Sequence, residues 1–142
     1  MTSEGPFGTG NFSVEIAAGE AGDPAIGGGF ASVGFPDFGV EGIAQPLVLR
    51  RAVTGRRDLY AWWDKARAGG KAARDVKVLL LGATREPVMV WTFKAARPVM
   101  LSHTPLDANA PALMLETLAL AYERMDLDYP ADPQPKPGRV IR

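Results

Sequence analysis

The single histidine of this 142-residue chain, His103, follows Ser102 and precedes Asp107 by four positions. Serine, histidine and aspartate are the residue types of a hydrolytic triad, in which histidine activates the serine hydroxyl. Residues this close together on one loop rarely reach the geometry that a triad requires, so the spacing argues against catalysis. We predict that His103 is a surface loop residue and that the chain is not an enzyme. A hydrolase centred on His103 is the least favoured of our functional hypotheses.

Metal and phosphate sites also find little support in the residue types. The chain has no cysteine and one histidine, so it lacks the grouped ligands of a transition-metal site. The glycines at Gly8, Gly10 and 27–29 are not accompanied by the lysine and hydroxyl residue of a phosphate-binding loop. We therefore predict no metal and no cofactor, and we interpret these glycines as loop residues.

The densest basic group lies just before three aromatic residues, Tyr60, Trp62 and Trp63. It consists of Arg50, Arg51, Arg56 and Arg57. Basic and aromatic residues together are found at nucleic-acid interfaces. However, acidic residues lie in the same stretch, and 16 basic residues balance 16 acidic ones over the whole chain. This balance lacks the electrostatic footprint of nucleic-acid or lipid binding and favours a solvated face or a subunit contact.

The composition indicates the kind of fold that must position these residues. Glycine and proline contribute 28 residues (16 plus 12) and fall between short apolar runs, a pattern typical of strands joined by turns. With 46% hydrophobic and 23% charged residues, the chain fits one folded, mainly β domain. No run approaches the ~20 apolar residues of a membrane helix, and the start lacks the features of a secretion signal. We expect no membrane span and a cytoplasmic start.

Alternation of apolar and polar residues predicts the strands. They fall at 11–17, 47–53, 75–81, 87–95 and 98–102, separated by loops that include 18–29. On the second of these strands Arg50 and Arg51 are neighbours and point to opposite faces, so at least one should reach a surface. Pro36 and two glycines argue against a continuous central strand at 30–40.

One helix is predicted at about residues 57–68. Thr54 is its expected N-cap, and Gly69 and Gly70 are expected to end it. Its apolar stripe consists of Leu59, Trp62 and Ala66.

Two C-terminal stretches complete the prediction. Residues 113–125 fit either a helical stripe or a strand face, and their composition favours a helix. Residues 126–142 contain four prolines and few apolar residues, so we expect an extended tail. We accordingly divide the chain into a domain at 1–126 and a proline-rich tail at 127–142.

Several segments, taken in order, resemble the tail-tube proteins of contractile phages and of related extracellular injection systems. The similar segments are PFGTGNFSVEI (6–16), LRRAVTG (49–55), DLYAWW (58–63), RDVKVLLL (74–81), VWTFKAARP (90–98), LDAN (106–109) and LETLALAYE (115–123). An ordered match of this kind over residues 6–125 is far more specific than any single motif.

The resemblance implies a β-sandwich or small barrel with one flanking helix, in which residues 113–125 form strand and not helix. It further implies that six copies form a ring with a β-lined channel, and that rings stack inside a sheath. Sheath, baseplate, and a passing cargo or tape-measure protein would then be partners, in a phage tail or tail-like particle. We expect subunit contacts from the four arginines and from the loop around Asp107 and Asn109.

The chain departs from the family pattern at residues 39–46. There the family has a longer charged region that supplies a strand pair and a loop to the next ring. The short form keeps two alternatives open, a specialised tube initiator or baseplate adaptor and a non-polymerising cargo-binding module of the same fold.

Overall fold

Eight regular elements follow one another in the computed structural model, which describes residues 6–42 and 44–132. They are β1 (Phe12–Ile16), β2 (Phe30–Gly34), β3 (Leu47–Ala52), α1 (Asp58–Arg67), β4 (Arg74–Leu81), β5 (Pro87–His103), β6 (Leu115–Ala121) and β7 (Arg124–Asp128). The prediction of a mainly β fold with one helix is confirmed. Within the described ranges, no helix has the length and apolar character needed to cross a membrane.

The strands pair in the antiparallel order β1-β4-β5-β6-β3-β2, and β7 adds to β5 outside this path. We call β1, β4, the first part of β5 and β7 sheet A, and the last part of β5 with β6, β3 and β2 sheet B. Because β1 and β2 lie at the two ends of the path, the sheet is not closed into a barrel. The two sheets instead form a sandwich that shares β5.

The 17-residue strand β5 was predicted as two strands, and this division is wrong. The register of the β4–β5 pairing shifts between Arg74 and Val76 of β4. Ala95 of β5, which has a φ of 52°, lies at this shift. The register of the β5–β6 pairing shifts between Pro98 and Met100. Such bulges let a strand bend from one sheet into another, so Pro98 lies at a bend within a continuous strand.

The helix begins at Asp58, one residue later than predicted, and Thr54 is not its cap. The N-cap position is Arg57, which makes no side-chain capping hydrogen bond. The predicted C-terminus is confirmed, because Gly69 has a φ of 83° and its N–H donates to the Ala66 carbonyl at 3.0 Å. Leu59 and Trp62 of the predicted stripe are buried, and the Trp62 Nε1–H donates to the Ala72 carbonyl.

The helix favoured by the composition of residues 113–125 is wrong, and the strand implied by the family resemblance is right. Residues of β6 pair with β3 and β5, and β7 pairs with β5, so tertiary pairing overrides helix propensity. β7 continues to Asp128, beyond the start expected for the extended tail. Residues 133–142 of that tail lie outside the described residues, and the division into domain and tail stays a prediction.

The core lies between the two sheets and beneath the helix. Its largest members are Leu47, Leu49, Leu118 and Leu120 from sheet B, Val76, Val78 and Phe93 from sheet A, and Leu59 and Trp62 from α1. The five-residue β2 forms one border of this sandwich and ends before Pro36, which agrees with the prediction of no continuous central strand at 30–40.

Candidate functional site: a buried ionic cluster and open sheet edges

Three charged side chains meet inside the sandwich, where leucines would be expected. Arg51 and Glu116 are directly paired across β3 and β6, and Asp58 begins α1. All three are at most 6% exposed. The Arg51 guanidinium donates from Nη1 to Asp58 Oδ2 at 3.0 Å and from Nη2 to Glu116 Oε2 at 3.2 Å. We call this group the ionic cluster, and it joins the helix to two strands of sheet B.

The ionic cluster also holds the loop that precedes β2. The Gly27 N–H donates to Asp58 Oδ2 at 2.8 Å, and Arg51 Nη1 donates to the Gly27 carbonyl at 3.2 Å. Arg56 Nη2 lies 3.2 Å from the same Asp58 oxygen, at the exposed side of the cluster. The Phe30 ring packs against the guanidinium, with its centroid 5.6 Å from Arg51 Cζ. The loop is therefore irregular in conformation but tied to the core.

The electrostatics of the cluster favour the ionised forms of Asp58 and Arg51. Burial alone raises the pKa of Asp58, but hydrogen bonds from Arg51, Gly27 and Leu59 outweigh it and hold that pKa well below its ordinary value. The hydrogen bond to Asp58 raises the pKa of Arg51 despite its burial. Among the described residues no buried side-chain nitrogen or oxygen lacks a hydrogen-bond partner. A fully paired cluster offers no free base or nucleophile, so its chemistry is structural.

The predicted contact residues divide between two environments. Arg50 is exposed on the outer face of sheet B, whereas Arg51 is buried in the ionic cluster, as expected of neighbours on a strand. Because its guanidinium is enclosed within the subunit, we no longer propose Arg51 as a subunit contact. Arg56 and Arg57 are exposed beside the start of α1. The contacts of Arg50, Arg56 and Arg57 with other subunits stay a prediction.

The loop between β5 and β6 carries the other two predicted contact residues. Asp107 and Asn109 are exposed, and Asp107 Oδ1 accepts a hydrogen bond from the Asn109 N–H at 2.9 Å. His103 is the exposed last residue of β5 and lies at the start of this loop. No hydrogen bond between described residues joins it to Ser102 or Asp107, so the sequence grouping is not assembled into a triad.

Sheet B has two borders without a partner strand among the described residues. One is β2, and the other is the last part of β5, Arg97–His103, which pairs only with β6. Val99 and Met100 on this β5 border are 48% and 60% exposed, which is unusual for large apolar side chains on a strand. Unpaired N–H and C=O groups make such a border ready to bind another strand.

An aromatic cleft opens where the borders β1 and β2 face each other. It has a volume of about 610 Å³, and its wall includes Phe7, Phe12, Val33, Phe35, Leu80 and Trp91. The Phe35 and Trp91 ring centroids are 4.6 Å apart, yet Phe35 remains 42% exposed. The sequence analysis missed this cleft because it expected no continuous strand at 30–40 and had no means of placing Phe35 beside Trp91. The available signal for the cleft in the sequence was Phe35, an aromatic residue directly before Pro36 and just beyond the end of β2.

The sandwich, its open borders and its fully paired interior define a structural protein with surfaces suited to assembly. More specifically, the chain belongs to the T4-like virus tail tube protein gp19 family, whose family model matches residues 40–126. That family consists of structural tube proteins, and the prediction that the chain is not an enzyme agrees with this membership. A search of curated proteins returned no match.

Solved structures show the same fold at low sequence identity. A chain in the six-fold symmetrised baseplate of the anti-feeding prophage is 24% identical, with a TM-score of 0.67, and the match covers 89% of this chain and 97% of that one. The extended sheath–tube complex of the extracellular contractile injection system PVC contains a chain that is 22% identical, with a TM-score of 0.68 and coverages of 87% and 92%. Hcp1 from Flavobacterium johnsoniae is 14% identical, with a TM-score of 0.56 and coverages of 82% and 94%.

Proposed function

We propose that this chain is an inner-tube component of a contractile injection system or phage tail and forms hexameric rings that stack inside a sheath. The proposal combines the tail-tube family with the two open borders of sheet B. Six-fold assembly is taken from the family resemblance and agrees with the symmetry of the anti-feeding prophage baseplate. Sheath and baseplate proteins and a passing cargo or tape-measure protein are the proposed partners.

The directions of the strands in sheet B carry the proposal. The sheet runs β2, β3, β6, β5, and each neighbouring pair is antiparallel. Strand direction therefore reverses three times across the sheet, and β5 runs antiparallel to β2. In a ring the β2 strand of the next copy can then pair with β5 as one more antiparallel strand. A contact between two different surfaces of identical chains repeats around an axis and forms a ring when the rotation closes. Ring closure would also cover borders that otherwise invite aggregation.

The outer face of sheet B would line the channel in such a ring. Side chains alternate along β3, so Leu47, Leu49 and Arg51 face the core while Val48 and Arg50 face away. The core face is covered by sheet A and α1, and only the outer face remains for a lumen. Opposite Arg50 lies Thr117, and opposite Val48 lies Ala119. The proposed lining is therefore mostly small, with Arg50 as its charged residue.

A second candidate is a specialised component at one end of the tube. β2 and β3 have five and six residues, and the segment that joins them is the short one noted above. A chain in the PVC sheath/tube terminator structure is 22% identical, with a TM-score of 0.72, and the match covers 98% of that chain. These observations support a component at the end of the tube. Such a component would still form a hexameric ring. In either case the chain would be assembled in the cytoplasm and become part of the tail or particle.

Negative-stain microscopy and sedimentation velocity of the purified full chain test the proposal. We expect ring-shaped particles or short tubes, and a sedimenting species that grows with protein concentration. A protein that stays monomeric at the highest attainable concentration would contradict it. Rings that never stack would favour the tube-end component over the repeating ring.

A further inference from the structure

We propose that the outer face of sheet B binds an acidic polypeptide, so that the cargo or tape-measure protein in the channel presents acidic side chains to it. This inference rests on the proposed function, in which that face lines the channel, and it names the chemistry of the occupant. It is carried by two arginines, Arg50 and Arg97, which have no acidic residue beside them on the same face.

The strand pairing places both arginines on the outer face of sheet B. Arg50 of β3 is paired with Thr117 of β6. Arg97 of β5 is paired with Ala121, four residues further along β6. Side chains alternate along a strand, so Thr117 and Ala121 point to one side and the core residue Leu118 points to the other. β5 therefore adds Arg97 as a second charged residue to the channel lining described above.

No carboxylate balances these two guanidinium groups within sheet B. Glu116 is the only acidic residue in the four strands of the sheet, and it is buried with Arg51 in the ionic cluster. Arg50 and Arg97 are exposed, and in the part of the chain that the structure describes neither has an ion-pair partner within 4.0 Å. The outer face of sheet B is therefore purely cationic.

Sheet A carries charges of both signs instead. The exposed Glu15 of β1 is paired with the exposed Lys77 of β4. Lys94 Nζ of β5 lies 3.4 Å from Asp75 Oδ2 of β4. The charge of this chain is thus balanced on sheet A and unbalanced on the outer face of sheet B, although the whole chain is neutral.

A closed ring would repeat the two arginines in every copy and form two belts of positive charge around the channel. Arg50 and Arg97 are separated by about 10 Å across the strands and about 13 Å along them, so the belts lie at different depths. Rings of arginine or lysine side chains attract anions into a pore, and the walls of a narrow channel concentrate the field. Guanidinium groups also bind carboxylates through paired hydrogen bonds.

The other side chains of this face favour a polypeptide over a nucleic acid. One row across the sheet consists of Gly34, Val48, Ala119 and Met100, and Met100 is 60% exposed. Apolar side chains of a polypeptide can pack against such a row. Proteins that bind single-stranded nucleic acid combine basic grooves with aromatic residues on which bases stack. The paired residues on the outer face of sheet B include no aromatic residue.

Binding of fluorescently labelled poly-L-glutamate to the assembled full chain tests the inference. The polymer is present during assembly, the assembled protein is pelleted, and the label in the pellet is measured against polymer concentration. We expect Arg50→Gln and Arg97→Gln each to weaken binding by at least about fivefold, because each removes one cation from every copy. Binding should also weaken as the salt concentration rises from about 0.05 M to about 0.5 M, because salt screens exposed charges.

Two control variants separate the charge of this face from other effects. Arg50→Lys keeps the positive charge and should retain most of the binding. Lys71→Gln removes an exposed cation between α1 and β4, outside sheet B, and should leave binding unchanged. Negative-stain microscopy shows whether each variant still forms rings. Arg50 lies on a central strand of sheet B, so Arg50→Gln remains a valid test even where Arg97→Gln at the border disturbs the ring.

The outcomes separate this inference from the proposed function. Rings that bind poly-L-glutamate through both arginines would support it. Rings that bind no poly-L-glutamate, or that bind it equally after Arg50→Gln, would overturn it and leave the ring proposal standing. A single-stranded oligonucleotide that binds more tightly through the same arginines would overturn it in favour of nucleic acid. An unmodified chain that forms no rings would contradict the proposed function, and this inference would fail with it.

Discussion

The ionic cluster places three charges where the strand pattern otherwise puts leucines. Arg51 follows Leu47 and Leu49 on the core side of β3, and Glu116 lies opposite it on β6. A buried charge is costly to leave unpaired, and a set of charges that satisfy one another also fixes how the surrounding elements fit together. The cluster therefore defines how α1, sheet B and the loop at Gly27 meet.

Replacing Asp58 by asparagine should destabilise the fold strongly. The substitution leaves the buried Arg51 with one carboxylate, and we expect the free energy of unfolding to fall by about 3–5 kcal/mol. Asp64→Asn is the matched control, because Asp64 pairs with Arg67 on the exposed face of the same helix. Its cost should stay below about 1 kcal/mol. Urea unfolding followed by circular dichroism measures both, and equal costs would refute the structural role of the cluster.

The lowered pKa of Asp58 also predicts how stability depends on pH. A carboxylate whose pKa is lower in the folded state stabilises the fold fully above its unfolded pKa, which is about 3.9 for aspartate. That contribution is lost as the pH falls through the unfolded value toward the folded one. We expect the stability difference between the unmodified chain and Asp58→Asn to be constant above pH ~5 and to shrink below pH ~4. A difference that stays constant down to pH 3 would contradict the assignment.

Part of this cluster could be anticipated from single residues. Alternation along β3 predicts that Arg50 and Arg51 face opposite sides, and the structure confirms it. The identity of Arg51's partners could not be predicted, because Asp58 and Glu116 are 7 and 65 residues away and meet it only through the fold. Glu116 within the apolar run LETLALA was the available signal, since an acidic residue on a core face requires a cation.

At the scale of elements, local sequence patterns predicted the positions of most strands but predicted their ends and continuity less accurately. The apolar stripe and terminal glycines of α1 are local features, and the sequence placed both correctly. By contrast, whether β5 continues through Pro98 depends on β6, and whether residues 115–121 form a strand depends on β3 and β5. Propensity cannot supply information about partners that are distant in sequence.

The C-terminus of α1 offers a test at this scale. Gly69 has a φ of 83°, so Gly69→Ala forces an L-residue into the left-handed region and should destabilise the fold by about 1 kcal/mol. Gly28→Ala is the control, because its added Cβ meets nothing within 4 Å and its φ lies outside that region. The control should leave stability unchanged or raise it by up to about 1 kcal/mol. Thermal unfolding compares them, and a control that loses as much stability as Gly69→Ala would contradict this explanation.

At the scale of the whole molecule, the sandwich provides what a tube subunit requires. The ionic cluster and the core join the helix to both sheets, and sheet B presents two different borders whose strands run in opposite directions. The family could be inferred from ordered motifs, but the borders could not, because exposure of Val99, Met100 and Phe35 depends on which strands lie beside them. Because the segment between β2 and β3 is short, a repeating ring, a tube-end component and a non-polymerising module of the same fold all remain proposals for this chain.

The most direct test of the proposed assembly is a cryo-EM reconstruction of the assembled chain. We expect six subunits around a channel, with the last part of β5 hydrogen-bonded to β2 of the next subunit and Arg50 facing the lumen. A reconstruction in which sheet B faces outward, or in which subunits meet through other surfaces while both borders of sheet B stay open, would contradict the account.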